Sequence, residues 1–158
     1  MRLDYVYGHD EIIAQFVAQL IPAARGRSFG PCASIGVLND GQLVAGVVYN
    51  NFRRDAGVIE MTTAALPRSG WISRETLRRI YGYPFVQLDC QMVMLHVAAD
   101  NAALLRQLAA LGHAFIRIPR LYGRDADCVL CLLTREAWGA SKFGKRLHVE
   151  PEQQREAA

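Results

Sequence analysis

Two apolar stretches, Ala33 to Leu38 and Leu43 to Tyr49, stand on either side of the tetrapeptide Asn39-Asp40-Gly41-Gln42. This arrangement commits the middle of the chain to an antiparallel hairpin. Asp-Gly between β-rich runs suits a type I′ turn, which needs positive φ at both central residues. A third run, Val58 to Ala64, follows the polar turn Arg53-Arg54-Asp55-Ala56-Gly57 and completes an antiparallel meander.

The flanking segments alternate between the two periods. Leu3 to Tyr7 reads as a short first strand. Asp10 can then cap a helix whose apolar face carries Ile12, Ile13, Phe16, Val17, Leu20 and Ile21, with Pro22 ending it. Ala23 to Pro31, with Gly26 and Gly30, reads as a loop. Downstream, Ser73 can cap a helix with Leu77, Ile80 and Tyr81, joined by an Ile72–Leu77 staple and stopped at Pro84. Met92 to Val97 is a strand. Asn101 caps the next helix, whose stripe of Leu104, Leu105, Leu108 and Leu111 ends at Gly112. Phe115 to Tyr122 and Cys128 to Thr134 are the last strands, joined by Gly123 to Asp127. The order β-α-β-β-β-α-β-α-β-β predicts an α/β fold with a mixed central sheet and flanking helices. Residues 1–139 form one expected domain, and the polar residues 140–158 a loosely ordered tail.

At 158 residues, 51% hydrophobic and 21% charged, the chain suits a single packed core. No apolar run reaches the roughly 18 residues of a membrane span. Met1-Arg2-Leu3-Asp4 lacks a signal peptide's apolar stretch, so a cytoplasmic location is expected. The net charge of +3 is too mild to argue for nucleic acid, although the cations are 16 Arg against 2 Lys. That excess fits bidentate phosphate recognition or the coding habit of a GC-rich genome. Cys32, Cys90, Cys128 and Cys131 are scattered, without His at zinc-ligand spacing. Cys128 and Cys131 fall three apart on a strand and so face opposite sides. Reduced structural thiols and no metal are expected.

The second half carries short motifs in a telling order. Glu60-Met61-Thr62-Thr63-Ala64-Ala65-Leu66-Pro67 resembles an E-L-G-Y-x-x-x-P stretch, and Tyr83-Pro84-Phe85 stands where a Y-A-F closes the following helix. His96 to Asn101 looks like a fifth strand ending in Asn. Ala102 to Gly112-His113 matches N-x-x-S/A-x-x-x-L-x-x-L-G-F, and Asp127 to Trp138 is similar to D-x-x-x-Y-x-L-T-R-E-E-W. Together, over about residues 55 to 138, they resemble the GNAT superfamily of acyl-CoA-dependent N-acyltransferases, in its ribosomal-protein-acetyltransferase branch. Tyr7-Gly8-His9-Asp10 and Phe29 to Phe52 look like a phage and prophage subgroup.

The resemblance implies acetyl-CoA as acyl donor, an unidentified amine as acceptor, and a site between the fourth and fifth strands. Backbone amides at Thr62, Thr63 and Ala64 match those that polarise the thioester. Arg68, Ser69, Gly70, Trp71, Ile72, Ser73 and Arg74 stand in the place of the pyrophosphate loop at a helix N-terminus. Trp71 and Ser73 replace its two small positions, so Trp71 either packs against the helix start or stacks on a ligand. Arg78 and Arg79 extend the basic cluster.

Glu60 is the expected general base, since strand alternation puts Glu60, Thr62 and Ala64 on one side and a carboxylate on a central strand must be paired or employed. His96 reads as a core histidine among apolar neighbours. Asn101 is both helix cap and candidate cofactor contact. Leu108 occupies the place of the tyrosine that protonates the departing thiolate, which leaves Tyr122 as the candidate acid, and His113 replaces the usual Phe. The competing readings are a non-catalytic module of the same fold that binds a protein or nucleic acid, or a phage enzyme that modifies nucleic-acid bases. A homodimer is compatible with the sequence.

Overall fold

A computed structural model describes residues 1–22 and 28–144. It contains β1 (Leu3–Val6), α1 (Asp10–Leu20), β2 (Cys32–Asn39), β3 (Gln42–Arg53), β4 (Val58–Ala65), α2 (Arg74–Gly82), β5 (Met92–Ala98), α3 (Ala102–Leu111), β6 (Ala114–Gly123), β7 (Ala126–Thr134) and α4 (Arg135–Ala140). The seven strands form one sheet in the order β1-β2-β3-β4-β5-β7-β6. Neighbours run antiparallel except β4 and β5, which are parallel with α2 crossing between them. This is the mixed sheet with flanking helices that the sequence predicts. Among the described residues no helix is long and apolar enough to cross a membrane.

The hairpin forms as its chemistry requires, with Asp40 at φ 48 and Gly41 at φ 83. On one face of the sheet, Tyr49, Met61, Leu95 and Leu133 pack with Leu77, Ile80 and Tyr81 of α2, Leu108 and Leu111 of α3, and Trp138 of α4. On the other face α1 lies against β2, β3 and β4. Its seat is a row of small residues, for Gly36 pairs with Gly46 and Gly46 with Ala64. A Cβ at Gly46 would stand 2.7 Å from Val17 Cγ2 and 3.0 Å from Ile13 Cγ2.

Several local expectations need correction. The residue at the α1 N-cap is His9, with no side-chain cap, because the Asp10 carboxylate instead accepts from the Ser34 hydroxyl at 2.6 Å. Ile12 is 61% exposed, outside the stripe that buries Ile13 and Val17. Pro84 does not stop the second helix; the chain widens into a π-helical turn over Tyr83–Gln87, where the Leu88 amide reaches back to Tyr83 O. Arg135 braces that turn by donating to Phe85 O and to Cys90 O, and it pairs with Asp89 at 2.8 Å. The last hairpin is tighter than a five-residue loop, with Gly123 already paired to Ala126. Cys128 and Cys131 lie opposite Ala98 and Leu95 and so face opposite sides.

Of the expected loop, residues 23–27 lie outside the described residues, as do residues 145–158 of the expected tail. Residues 141–144 are described, and Phe143 stacks on Trp138 with ring centroids 6.3 Å apart.

Candidate active site

β4 and β5 share only three paired positions: Val58 with Met92, Ile59 with Val93, and Glu60 with Met94. Beyond that rung each strand follows its other neighbour. β4 stays with β3 as far as Ala65, and β5 stays with β7 as far as Ala98. The two therefore part in a V. Amides alternate sides along a strand, so those of Met61–Ala65 that point away from β3 meet no strand across the gap among the described residues.

A cavity opens on each side of the sheet at this divergence. On the α1 side it measures about 920 Å³, and between α2 and α3 about 260 Å³. Met61, Thr63, Leu95 and Leu104 line both, so the gap is where the two faces communicate.

The larger cavity collects polar groups. Thr62, His96, Asn101 and Tyr122 line it. Glu60 does not; it stands at the vertex of the V, accepts from Asn51 Nδ2 at 3.0 Å, and lies with Oε1 4.0 Å from His96 Nε2. The expectation that His96 is a core residue is wrong. Its side chain is 38% exposed, because even-numbered positions of β5 point away from the face on which Val93, Leu95 and Val97 join the main core. Burial first, then the neighbouring Cys128 with which it shares a hydrogen bond, pushes the Tyr122 phenol well above its usual range; the Glu60 carboxylate adds to the rise. Tyr122 therefore keeps its proton at neutral pH. Asn101 caps α3 through the Leu104 amide at 3.3 Å while also lining the cavity. Asp100, Asp125 and Asp127 add carboxylates to the rim. Asp127 is held below the usual carboxylate range by the Arg120 amide and the Arg117 guanidinium, the latter at 2.8 Å.

The smaller cavity is nearly all apolar, lined by Leu77, Ile80, Leu108 and Leu111 of the two helices and by Phe143. Above it, the loop from Arg68 to Ser73 turns twice through the left-handed region, with Arg68 at φ 57 and Gly70 at φ 64. Ser73 caps α2 by accepting from the Thr76 amide at 3.0 Å. The Thr76 hydroxyl bonds Trp71 O at 2.8 Å and Tyr5 OH at 2.7 Å, which ties the loop to β1. Among the described residues, the amides of Ser69 to Ser73 donate to no other backbone group. Trp71 is half-buried against the core and also forms part of the cavity wall with Ile72.

The arginines divide. Arg79 is committed to Glu75 at 2.9 Å and Tyr7 OH at 2.8 Å, with its guanidinium 4.4 Å over the Tyr5 ring. Arg78 lies 3.7 Å from Glu75. Arg68 and Arg74 are exposed, and among the described residues neither has an ion pair. Leu108 is buried in the cavity floor. His113 is buried too, and its Nδ1 and Nε2 contact Leu108 O at 2.9 Å and Tyr81 OH at 3.3 Å. Burial pushes its pKa down to about 4.

Sequence reasoning missed two contributors. His96 has the alternation signal, since it sits two residues beyond the partner of Glu60. Phe143 has only its aromatic character in a polar stretch.

No protein-family profile matches the sequence, and no curated protein is similar to it. The fold does match solved structures. A mutant form of the spermidine N-acetyltransferase SpeG from Vibrio cholerae aligns with a TM-score of 0.72 and 14% identity, over 92% of this chain and 98% of that one. A "probable acetyltransferase" aligns with a TM-score of 0.60 and 19% identity, over 69% of this chain and 64% of that one, so the chain spans less than two thirds of that protein. At such identities the likeness establishes a shared fold, the GNAT-like mixed sheet with flanking helices.

Proposed function

We propose that the chain is an N-acyltransferase that moves an acyl group, acetyl in the first instance, from an acyl-CoA to an amine by direct attack. The observation that carries this reading is the divergence of β4 and β5, which joins an apolar cavity on the helix side to a polar cavity on the other. A thioester carbonyl in that gap would be reachable by an acceptor from the polar side and by unpaired β4 amides from the strand edge.

The residues of the altered loop fit the donor. Backbone amides of Ser69 to Ser73 without backbone partners, next to unpaired Arg68 and Arg74, suit a diphosphate. Trp71 and Ile72 would flank its apolar arm. The acyl-CoA supplies an activated carbonyl and a thiolate leaving group. His96, backed by Glu60, takes the proton that the amine loses as its nitrogen bonds to the carbonyl carbon. As the C–S bond breaks, Tyr122 gives its proton to the thiolate. Thr62, Thr63 and Ala64 supply backbone around the carbonyl, and Asn101 orders the far wall.

The carboxylates of Asp100 and Asp125 at the rim favour a cationic acceptor. The matched Vibrio cholerae structure is of an enzyme named for spermidine, and a polyamine belongs in the test beside protein N-terminal amines, to which the likeness of Glu60–Pro67 to the ribosomal-protein branch points. The test is thiol release from acetyl-CoA with each amine. Amine-dependent thiol release supports the reading. Its absence with every amine, together with no acetyl-CoA binding, favours a non-catalytic module in which Trp71 closes the loop.

A further inference from the structure

Between its pairing of Asn50 with Glu60 and of Arg53 with Val58, β3 carries one residue too many. Asn51 and Phe52 together stand opposite Ile59, a β-bulge beside the last rung that β4 shares with β5. Asn51 takes the left-handed conformation there, at φ 51. Asn accepts that backbone more readily than most residues, and Gly accepts it best.

The bulge changes which side chain reaches which face. Tyr49 packs in the main core, while Asn50, the direct partner of Glu60, donates to Phe29 O at 3.1 Å on the α1 side. Plain alternation would send Asn51 to the core side with Tyr49 and leave Phe52 on the side of Asn50 and Glu60. The structure has the reverse. Phe52 packs against the main core, and the Asn51 amide lies beside the Glu60 carboxylate. A regular strand would give that carboxylate an apolar ring for a neighbour in place of a hydrogen-bond donor.

The two oxygens of the carboxylate are divided between two partners. Oε2 accepts from Asn51 Nδ2 at 3.0 Å, and Oε1 lies 4.0 Å from His96 Nε2. The terminal torsion of a Glu side chain is broad, so a donor that fixes one oxygen also aims the other.

We propose that Asn51, presented by this bulge, is a positioning residue: its amide holds Glu60 so that the second carboxylate oxygen faces His96. It acts through Glu60 and not on the reacting atoms. The consequence for turnover rests on the proposed acyl transfer, whereas the alignment of the pair does not.

Asn51→Gly tests the proposal, because Gly keeps the left-handed backbone and lacks the amide. A role confined to the shape of the bulge would survive that change. The ring-nitrogen chemical shifts of His96, assigned by their loss in His96→Gln and compared at one fixed pH, read the alignment without any substrate. Asn51→Gly is expected to move them in the same direction as Glu60→Gln, and to add nothing when combined with Glu60→Gln. With acetyl-CoA and an accepted amine, kcat of Asn51→Gly is expected to fall about tenfold with KM for acetyl-CoA unchanged. His96 signals in Asn51→Gly that coincide with those of the wild type, or a further shift when it is added to Glu60→Gln, overturn the proposal. Full turnover by Asn51→Gly in an enzyme that Glu60→Gln slows overturns it too. A protein that shows the expected His96 shifts but transfers acetyl to no amine overturns the reaction and supports the positioning.

Discussion

Glu60 and His96, on neighbouring parallel strands, bring a carboxylate oxygen and a ring nitrogen to 4.0 Å at the rung beyond which the strands part. The carboxylate sits at the vertex and the imidazole in the cavity wall, so the two are placed to act in series. Glu60→Gln keeps the shape and removes the charge. Turnover is expected to fall on the order of 10²-fold with coenzyme affinity unchanged, and His96→Gln to fall at least as far. Because one proton passes through the pair, the double variant is expected to lose little more than the worse single one. Steady-state thiol release measures all three. Independent, multiplying losses would contradict a shared path.

Gly46 tests how α1 is seated. A methyl group there would crowd two β-branched side chains, Val17 and Ile13, both fully buried and stiff at χ1. Gly46→Ala is expected to cost about 1–3 kcal/mol as an overpacked site. Thermal unfolding would register that as a fall of about 3–10 °C. An unchanged melting temperature would mean that α1 does not rest on the small-residue row.

His113 makes stability depend on pH with a definite sign. The unfolded chain binds the imidazole proton near 6.5, while the folded one waits until about 4. Between those values the unfolded state holds more protons, so stability falls as pH falls and is unaffected above that window. The loss by pH 4 is on the order of 3 kcal/mol from this group. In His113→Phe the difference in melting temperature between pH 7 and pH 5 is expected to shrink. The same acid sensitivity in the variant would assign it to other groups.

The fold was legible wherever a local rule acts alone. Asp40-Gly41 dictates its turn, Ser73 and Asn101 cap their helices, and Gly112 takes the left-handed position after α3 at φ 103. The misreadings have tertiary causes. Asp10 has the chemistry of a cap but is drawn off by Ser34, a residue 24 positions away. Pro84 should end a helix, yet Arg135, from another element, holds the Phe85 carbonyl of the widened turn and the Cys90 carbonyl just beyond it. Glu60 was legible as a candidate from strand alternation, whereas the exposure of His96 was not, because it depends on which face of β5 the helices leave uncovered. The two-faced gap follows from three rungs of pairing, which no spacing in the chain encodes.

The most direct measurement is a calorimetric titration of acetyl-CoA into the protein, repeated with the Arg68→Ala/Arg74→Ala variant. The account predicts saturable one-to-one binding by the wild type in the micromolar range, weakened about tenfold or more by removing the two charged contacts to the diphosphate. No binding up to millimolar acetyl-CoA, or equal affinity in the double variant, would contradict a donor held at this loop.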